Sequence, residues 1–361
     1  MKKITFPHMG NLDISARAFF SELGFDVIIP PPITKKTLDL GVKYGPEFAC
    51  LPLKINLGNF IEAIEKGADV IVMGGGCGPC RFGYYGEVQK EILKENGYQF
   101  EMFMLEPNLI YDYYQIRKIF GKISIKKIIN AVKITWKKIK TVDIIHKLVL
   151  KRRATEKKQG QVDKLYNKFL KEIDKTMFID NIDFLMKKYI EMLNDTRGSF
   201  KQGVEVKIGI VGEIYLVLEP FVNLDIENIL GNLGASVEKK IYLTSWLEHF
   251  LHLSYEMVRI KSAAKKYLKN SVGGHGIDSI GNTVLFANRN FDGVIQLAPF
   301  TCMPEIVSQS IIPRVSRSEN IPVLSLFYDE HTADAGLKTR LEAFVDLLIR
   351  KKEMKGSISC V

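Results

Sequence analysis

Asp69-Val70-Ile71-Val72-Met73-Gly74-Gly75-Gly76-Cys77-Gly78-Pro79-Cys80 runs from an apolar stretch into a glycine-rich turn that closes on two cysteines. A short, continuously apolar segment of this kind marks a strand buried on both faces of a parallel sheet. The pattern returns late in the chain, where Asp292-Gly293-Val294-Ile295-Gln296-Leu297 leads to Pro299-Phe300-Thr301-Cys302-Met303-Pro304. Eight residues separate Asp69 from Cys77 and eleven separate it from Cys80; ten separate Asp292 from Cys302.

The surroundings of the two stretches repeat in order. Strands are predicted at 3–6, 25–29, 68–73 and 100–105, with helices at 13–23, 53–66 and 84–96 between them. In the second half, strands are predicted at 206–211, 236–242, 292–297 and 321–328, with helices at 226–233 and 337–348. Gly24 and Gly234 each end a helix just before a strand. Alternating strands and helices give parallel sheets. Between 112 and about 199 no strand pattern occurs, and Lys, Leu and Ile recur at helical spacing. The expected fold is therefore α/β: two pseudo-repeated, doubly wound parallel-sheet lobes with a helical insertion. The expected divisions are 1–111, 112–203 and 204–361.

The 361 residues suffice for two or three domains, and 46% hydrophobic with 25% charged residues is ordinary for a globular chain. No apolar run approaches the ~20 residues that a membrane span requires. Met1-Lys2-Lys3-Ile4-Thr5-Phe6 reads as a first strand and not as a leader. The chain is expected in the cytoplasm, with no membrane partner. Thiols stay reduced there, so grouped cysteines point to metal binding or chemistry over disulfides. The net charge of +10 is uneven, with basic residues crowded from Arg117 to Lys175. Such a run is either a solvated helical face or a surface for an acidic protein or the phosphates of a nucleotide or coenzyme. No nucleic-acid-binding signature accompanies it, and no nucleic-acid partner is expected.

Cys50, Cys77, Cys80 and Cys302 are the candidate metal ligands; Cys360, next to the last residue, is set aside. Open α/β sheets bind ligands at the carboxyl ends of their strands, where Cys77, Cys80 and Cys302 fall. Cys-x-x-Cys alone fits a redox dithiol, half a zinc site or part of an iron–sulfur site. Thiolates on separate loops of two lobes favour the iron–sulfur reading. A non-enzymatic protein holding zinc or a scaffold cluster is the alternative. Gly75, Gly76 and Gly78 would let the backbone approach a bulky group. The turn is neither a dinucleotide fingerprint nor a phosphate-binding P-loop. His275, within Gly273-Gly274-His275-Gly276, and Glu330, after the last strand, are candidate acid–base groups. Glu305, Tyr84, Tyr85 and Glu87 are ambiguous between supporting and structural roles.

The cysteine blocks resemble those of the 2-hydroxyacyl-CoA dehydratase iron–sulfur subunits. The similarity is greatest to the shorter members called CoA protein activases or activase-related proteins, akin to the 2-hydroxyglutaryl-CoA dehydratase D-component. Cys50-Leu51-Pro52-Leu53-Lys54, Gly74 to Gly83, Gly273 to Gly276, Pro299 to Glu305 and Thr339-Arg340-Leu341-Glu342-Ala343-Phe344 carry the resemblance. It implies two Rossmann- or flavodoxin-like lobes with a [4Fe–4S] cluster between them. It also implies low-potential one-electron chemistry, with electrons supplied by an ATP-hydrolysing iron–sulfur activator protein. An acyl-CoA ligand and a homo- or hetero-dimer are further implications. Three ligating cysteines would leave one iron open for catalysis, whereas four would close the cluster and suit an electron carrier.

Overall fold

The computed structural model describes residues 2–76, 80–106, 112, 114–115, 117, 121, 123–201, 203–250 and 255–358, with the backbone alone at 250 and 355–358. The described residues form two four-stranded parallel sheets. In the first, β1 (Lys3–Thr5), β2 (Asp26–Val27), β3 (Val70–Gly74) and β4 (Glu101–Leu105) lie in the order β2-β1-β3-β4. In the second, β5 (Val206–Gly212), β6 (Ala235–Lys239), β7 (Gly293–Pro299) and β8 (Val323–Tyr328) lie in the order β6-β5-β7-β8. The two orders are the same once renumbered, so the repeat in sequence is a repeat in topology. In each sheet the winding reverses between the first and third strands, the crevice where doubly wound sheets take ligands.

β2 is shorter than the 25–29 expectation, because Pro30-Pro31-Pro32 removes the donors needed to continue the ladder. Likewise β6 stops at Lys239, not at 242: Ser245 accepts the Tyr242 backbone N–H and draws that stretch into a helix start. The Gly273–Gly276 stretch is only partly a loop. Gly276 begins a helix, α12 in chain order (Gly276–Asn288), and His275 stands at its N-cap.

Three elements position the candidate site. Helix α1 (Leu12–Leu23) follows β1, and α2 (Lys35–Tyr44) leads to α3 (Leu51–Glu65). α3 is buried continuously from Leu51 to Ala63. Its Leu57, Phe60 and Ile61 pack in the core of the first sheet, with Ile71 and Met73. Its Leu51 and Ile55 pack instead in the core of the second, with Ile210, Leu297 and Tyr328. Its buried polar side chains are met by partners: Lys54 donates to Glu330, Asn59 accepts the His8 N–H and donates to the Pro31 carbonyl, and Glu62 accepts the Thr37 hydroxyl. α2 crosses α3 so closely that a Cβ at Gly58 would stand 1.9 Å from the Thr37 carbonyl oxygen, and one at Gly41 1.8 Å from that of Lys54.

Three further helices follow the first sheet: α5 (Ile125–Arg153), α6 (Gln161–Lys175) and α7 (Ile179–Asp195), with α4 (Phe82–Glu95) preceding β4. Val142, Ile145, Val149, Phe169, Ile173 and Tyr189 form their shared core, and Ile14 of α1 packs into it. The basic run is therefore not uniformly solvated. Arg153 is buried and paired with Asp163 at 2.8 Å, and Lys138 is buried with its ammonium on the Asp174 carbonyl. The remaining helices are α8 (Ile214–Leu218), α9 (Ile226–Asn232), α10 (Leu243–Phe250), α11 (Tyr255–Ala264), α13 (Met303–Ser318) and α14 (Asp334–Ile358).

Gly58→Ala is expected to lower stability by at least the ~1–3 kcal/mol typical of overpacking, because two backbones must move apart. Gly336→Ala, with nothing within 4 Å of the new methyl, is expected to be neutral or stabilising. Urea denaturation of the two variants beside the parent checks both.

Candidate functional site

Both Cys50 and Cys302 are helix N-caps. Cys50 caps α3 and Cys302 caps α13, and each is followed by one residue and then a proline, Pro52 or Pro304, in the first turn. Proline is tolerated there because its missing N–H has no intrahelical partner to lose. The Cys-x-Pro pattern thus fixes a thiol at the positive end of a helix, one from each lobe. Cys80 stands just before α4, at the end of the turn that follows β3. Cys77 and Gly78 lie outside the described residues, as does Cys360.

The three described thiols are free and share one region. Cys50 and Cys302 are buried, and Cys80 is partly exposed. The Cys50 Sγ lies 2.6 Å from the Tyr85 hydroxyl oxygen. A Cβ at Gly274, which has φ +46°, would stand 3.1 Å from Pro304 and 3.6 Å from the Cys80 Sγ. The second lobe's glycine loop thereby closes over the first lobe's cysteine. Arg81 ties the arrangement together: its guanidinium donates to the Phe48 carbonyl at 2.9 Å and to the Thr301 carbonyl at 2.5 Å. Those carbonyls precede Cys50 and Cys302 by two residues and one.

Burial and nearby acids raise the pKa of each of the three described thiols. Burial pushes Cys50 up to about 12; the Tyr85 hydroxyl opposes this, and Glu213 and Cys80 add to it. Burial, then Glu213 and Glu305, raise Cys302 further. Cys80 is raised by burial and by Glu213, against the Phe82 N–H and Arg81. Glu213 follows β5 directly, with its carboxylate on the Leu216 N–H, and burial raises its own pKa. A Cβ on Gly212 before it would meet the Leu297 carbonyl at 2.0 Å, so only glycine fits that turn.

His275 is partly buried, its Nδ1 2.9 Å from Asp278. Burial lowers its pKa, but the Asp278 hydrogen bond and charge, with Glu213 and Glu305, outweigh this and raise it. Glu305 is fully buried and takes hydrogen bonds from Ser279, Gln296 and Ser308. Burial raises it to about 7. Glu330 is engaged otherwise: it accepts the buried Lys54 ammonium of α3 at 2.6 Å, a bond between lobes. That bond and charge depress its pKa against burial. Gly75 and Gly83 serve close packing, while a Cβ on Gly76 would meet nothing within 4 Å. A Cβ on Gly75 would meet the Glu106 carboxylate at 2.4 Å, and the Gly76 carbonyl lies 2.2 Å from where Gly83 would carry one.

Sequence reasoning left Glu213 unassigned, since a lone carboxylate after a strand carries no signal of its own. Arg81 lies within the Gly74–Gly83 block, where nothing in the sequence assigns it a role. Tyr85 was left ambiguous, and only the fold reveals its bond to Cys50. The doubled Cys-x-Pro is a signal that could have found the paired caps, but it is not used in the sequence reading.

Among the described residues, no three His, Cys, Asp or Glu side chains are placed to share a single metal ion. No helix of the described residues is long and apolar enough to cross a membrane. Residues 14–240, more than half of the chain, match the family model described as CoA enzyme activase uncharacterised domain. Comparison with curated proteins finds no match.

With raised pKa values, Cys50 and Cys302 are expected to be largely thiol at pH 8 in metal-free protein. Their alkylation by iodoacetamide is expected to be more than about tenfold slower than that of an unperturbed thiol, and slower than that of Cys80. The rates should climb as pH rises toward the thiol pKa. Peptide mass spectrometry over a time course checks the order.

Proposed function

The chain belongs to the family of the CoA enzyme activase uncharacterised domain, and on that premise we propose that it holds a [4Fe–4S] cluster between its two lobes. The observation that carries this is the convergence of Cys50, Cys80 and Cys302, each from a different loop, on one inter-lobe region. The donor set fits such a group. Cys50 and Cys302 stand at helix N-termini, which favour thiolate. Burial and Glu213 hold them protonated only while no cation is near, since a coordinating metal deprotonates a thiol outright. A polynuclear group takes thiolates on separate irons, so it does not require three donors around one ion. Cys77 is the candidate fourth ligand.

When bound, the cluster supplies one-electron transfer at low potential. The protein's own residues do the rest. Arg81 locks the Cys50 and Cys302 loops together and brings positive charge to an otherwise anionic site. Tyr85 orients the Cys50 sulfur. In this reading His275, held by Asp278, would donate a proton near the site. Glu330 supports the site through Lys54 instead of moving protons itself.

In this reading electrons arrive from an ATP-hydrolysing iron–sulfur activator protein. The exposed rings of Phe48, Tyr84 and Phe300, each within four residues of a thiol, suit a docking protein. A 2-hydroxyacyl-CoA dehydratase-type reaction on an acyl-CoA is the finer proposal, and a homo- or hetero-dimer is compatible with it.

Protein purified without oxygen is expected to be brown and to carry about four irons and four sulfides per chain. Cys50→Ala and Cys302→Ala are each expected to abolish stable binding, while Cys360→Ala changes nothing. Metal analysis and absorption spectra decide. Colourless protein with stoichiometric zinc, or full iron retention in either of the first two variants, would defeat the proposal.

A further inference from the structure

A cavity of about 460 Å³, remote from the thiols in sequence, opens between α5 and the carboxyl end of β6. Its volume lies in the ~300–1,000 Å³ range of small-molecule sites. Lys140, Ile144, Lys147 and Lys151 line one side. They recur at spacings of four, three and four, so they form one stripe of the helix. Opposite them are Lys239, Lys240, Tyr242 and Thr244.

The charge balance of the walls is lopsided. Lys240 is paired with Glu238 and Glu256, and Arg289 with Glu238. Asp143 is tied to the Thr244 backbone N–H at 2.9 Å and to its hydroxyl. Lys140, Lys147 and Lys151 make no ion pair with any described residue; Glu238, already paired with Arg289 and Lys240, and Glu248 are the acids that face them, and Lys140 lies over the Trp136 ring. The Lys147 ammonium instead lies 4.6 Å from the centre of the Tyr242 ring. Tyr242 is only 3% exposed, yet its hydroxyl has no hydrogen-bond partner. A buried hydroxyl left unbonded is costly, and a ligand acceptor would satisfy it.

The floor is rigid. Buried Glu227 accepts Lys239 at 2.6 Å and pairs with His146 at 2.8 Å and Arg153 at 3.5 Å. This network joins α5 to α9 and β6, and its Lys239 ammonium lies 5.4 Å from the centre of the Tyr242 ring. The site is thus largely built before any ligand arrives.

We infer that this cavity binds a small molecule bearing two or more phosphate groups, of the nucleoside polyphosphate or inorganic oligophosphate class. One phosphate could not engage the stripe, since eleven residues of helix separate its end lysines by about 16 Å. Three unpaired ammonium groups match an oligophosphate in charge, and Ile144, exposed within the stripe, offers apolar surface for a base. The inference does not depend on the cluster reading.

Isothermal titration of the full chain with ATP, inorganic tripolyphosphate and sulfate tests it. ATP and tripolyphosphate are expected to bind, sulfate at the same concentration is not, and binding should weaken with added salt. The double variant Lys147→Gln/Lys151→Gln is expected to lose at least about tenfold in affinity, as two charge-assisted hydrogen bonds are removed. Lys126→Gln/Lys133→Gln changes the net charge equally on exposed positions of the same helix outside the cavity, and should stay within about twofold. Tighter binding of ATP would show that the nucleoside is read as well; equal binding would show that the phosphate chain alone is read. Failure of both ligands to bind the parent at millimolar concentration, or equal losses in the two double variants, would overturn the inference.

Discussion

The burial of α3 between two sheets is the interaction on which the rest depends. Its Leu57, Phe60 and Ile61 belong to one core and its Leu51 and Ile55 to the other, so neither lobe is complete without it. At about 1.5–3 kcal/mol for each fully buried large apolar side chain, this one helix outweighs any single polar bond between the lobes. It also sets the position of Cys50, which caps it, and of Lys54, one turn later, which reaches Glu330 across the interface. The thiol is placed by the packing of the helix, not by the flexibility of a loop.

Smaller polar contacts then fix how the lobes meet. Glu219 of the second lobe accepts the Gly10 N–H at 2.7 Å and faces His8, and the Tyr215 hydroxyl donates to the His8 carbonyl. Arg81 bridges the Phe48 and Thr301 carbonyls. These bonds lie at the carboxyl ends of β1 and β5 and around the caps of α3 and α13. The interface and the candidate site are therefore the same place, which gives a buried inter-lobe group its low-dielectric surroundings.

The architecture was largely legible because its signals are strong and doubled. Largely apolar runs following Asp69 and Asp292 marked β3 and β7, and glycines at 24 and 234 marked matching helix ends. Terminal details were less legible, since they depend on local bonds that periodicity does not carry. The prolines that stop β2 and the Ser245 bond that follows β6 are of that kind. At the site, the cysteines announced themselves by spacing, but Glu213 did not, because its effect on the thiols exists only after β5 and β7 are paired. Glu330 looked free in sequence because Lys54 is 276 residues away. The basic run hid two populations: Arg153, which is consumed in a buried network, and the stripe of Lys140, Lys147 and Lys151, which faces open space.

The proposed iron–sulfur cluster would sit among Cys50, Cys80 and Cys302, between the two lobes. Anomalous X-ray scattering at the iron edge, from crystals of protein kept free of oxygen, tests it most directly. The expected result is a single compact iron-dependent peak, sized for four irons, bonded to the sulfurs of Cys50, Cys80 and Cys302, with Cys77 the candidate fourth ligand. A peak that appears only at the zinc edge, or iron located away from these sulfurs, would contradict it.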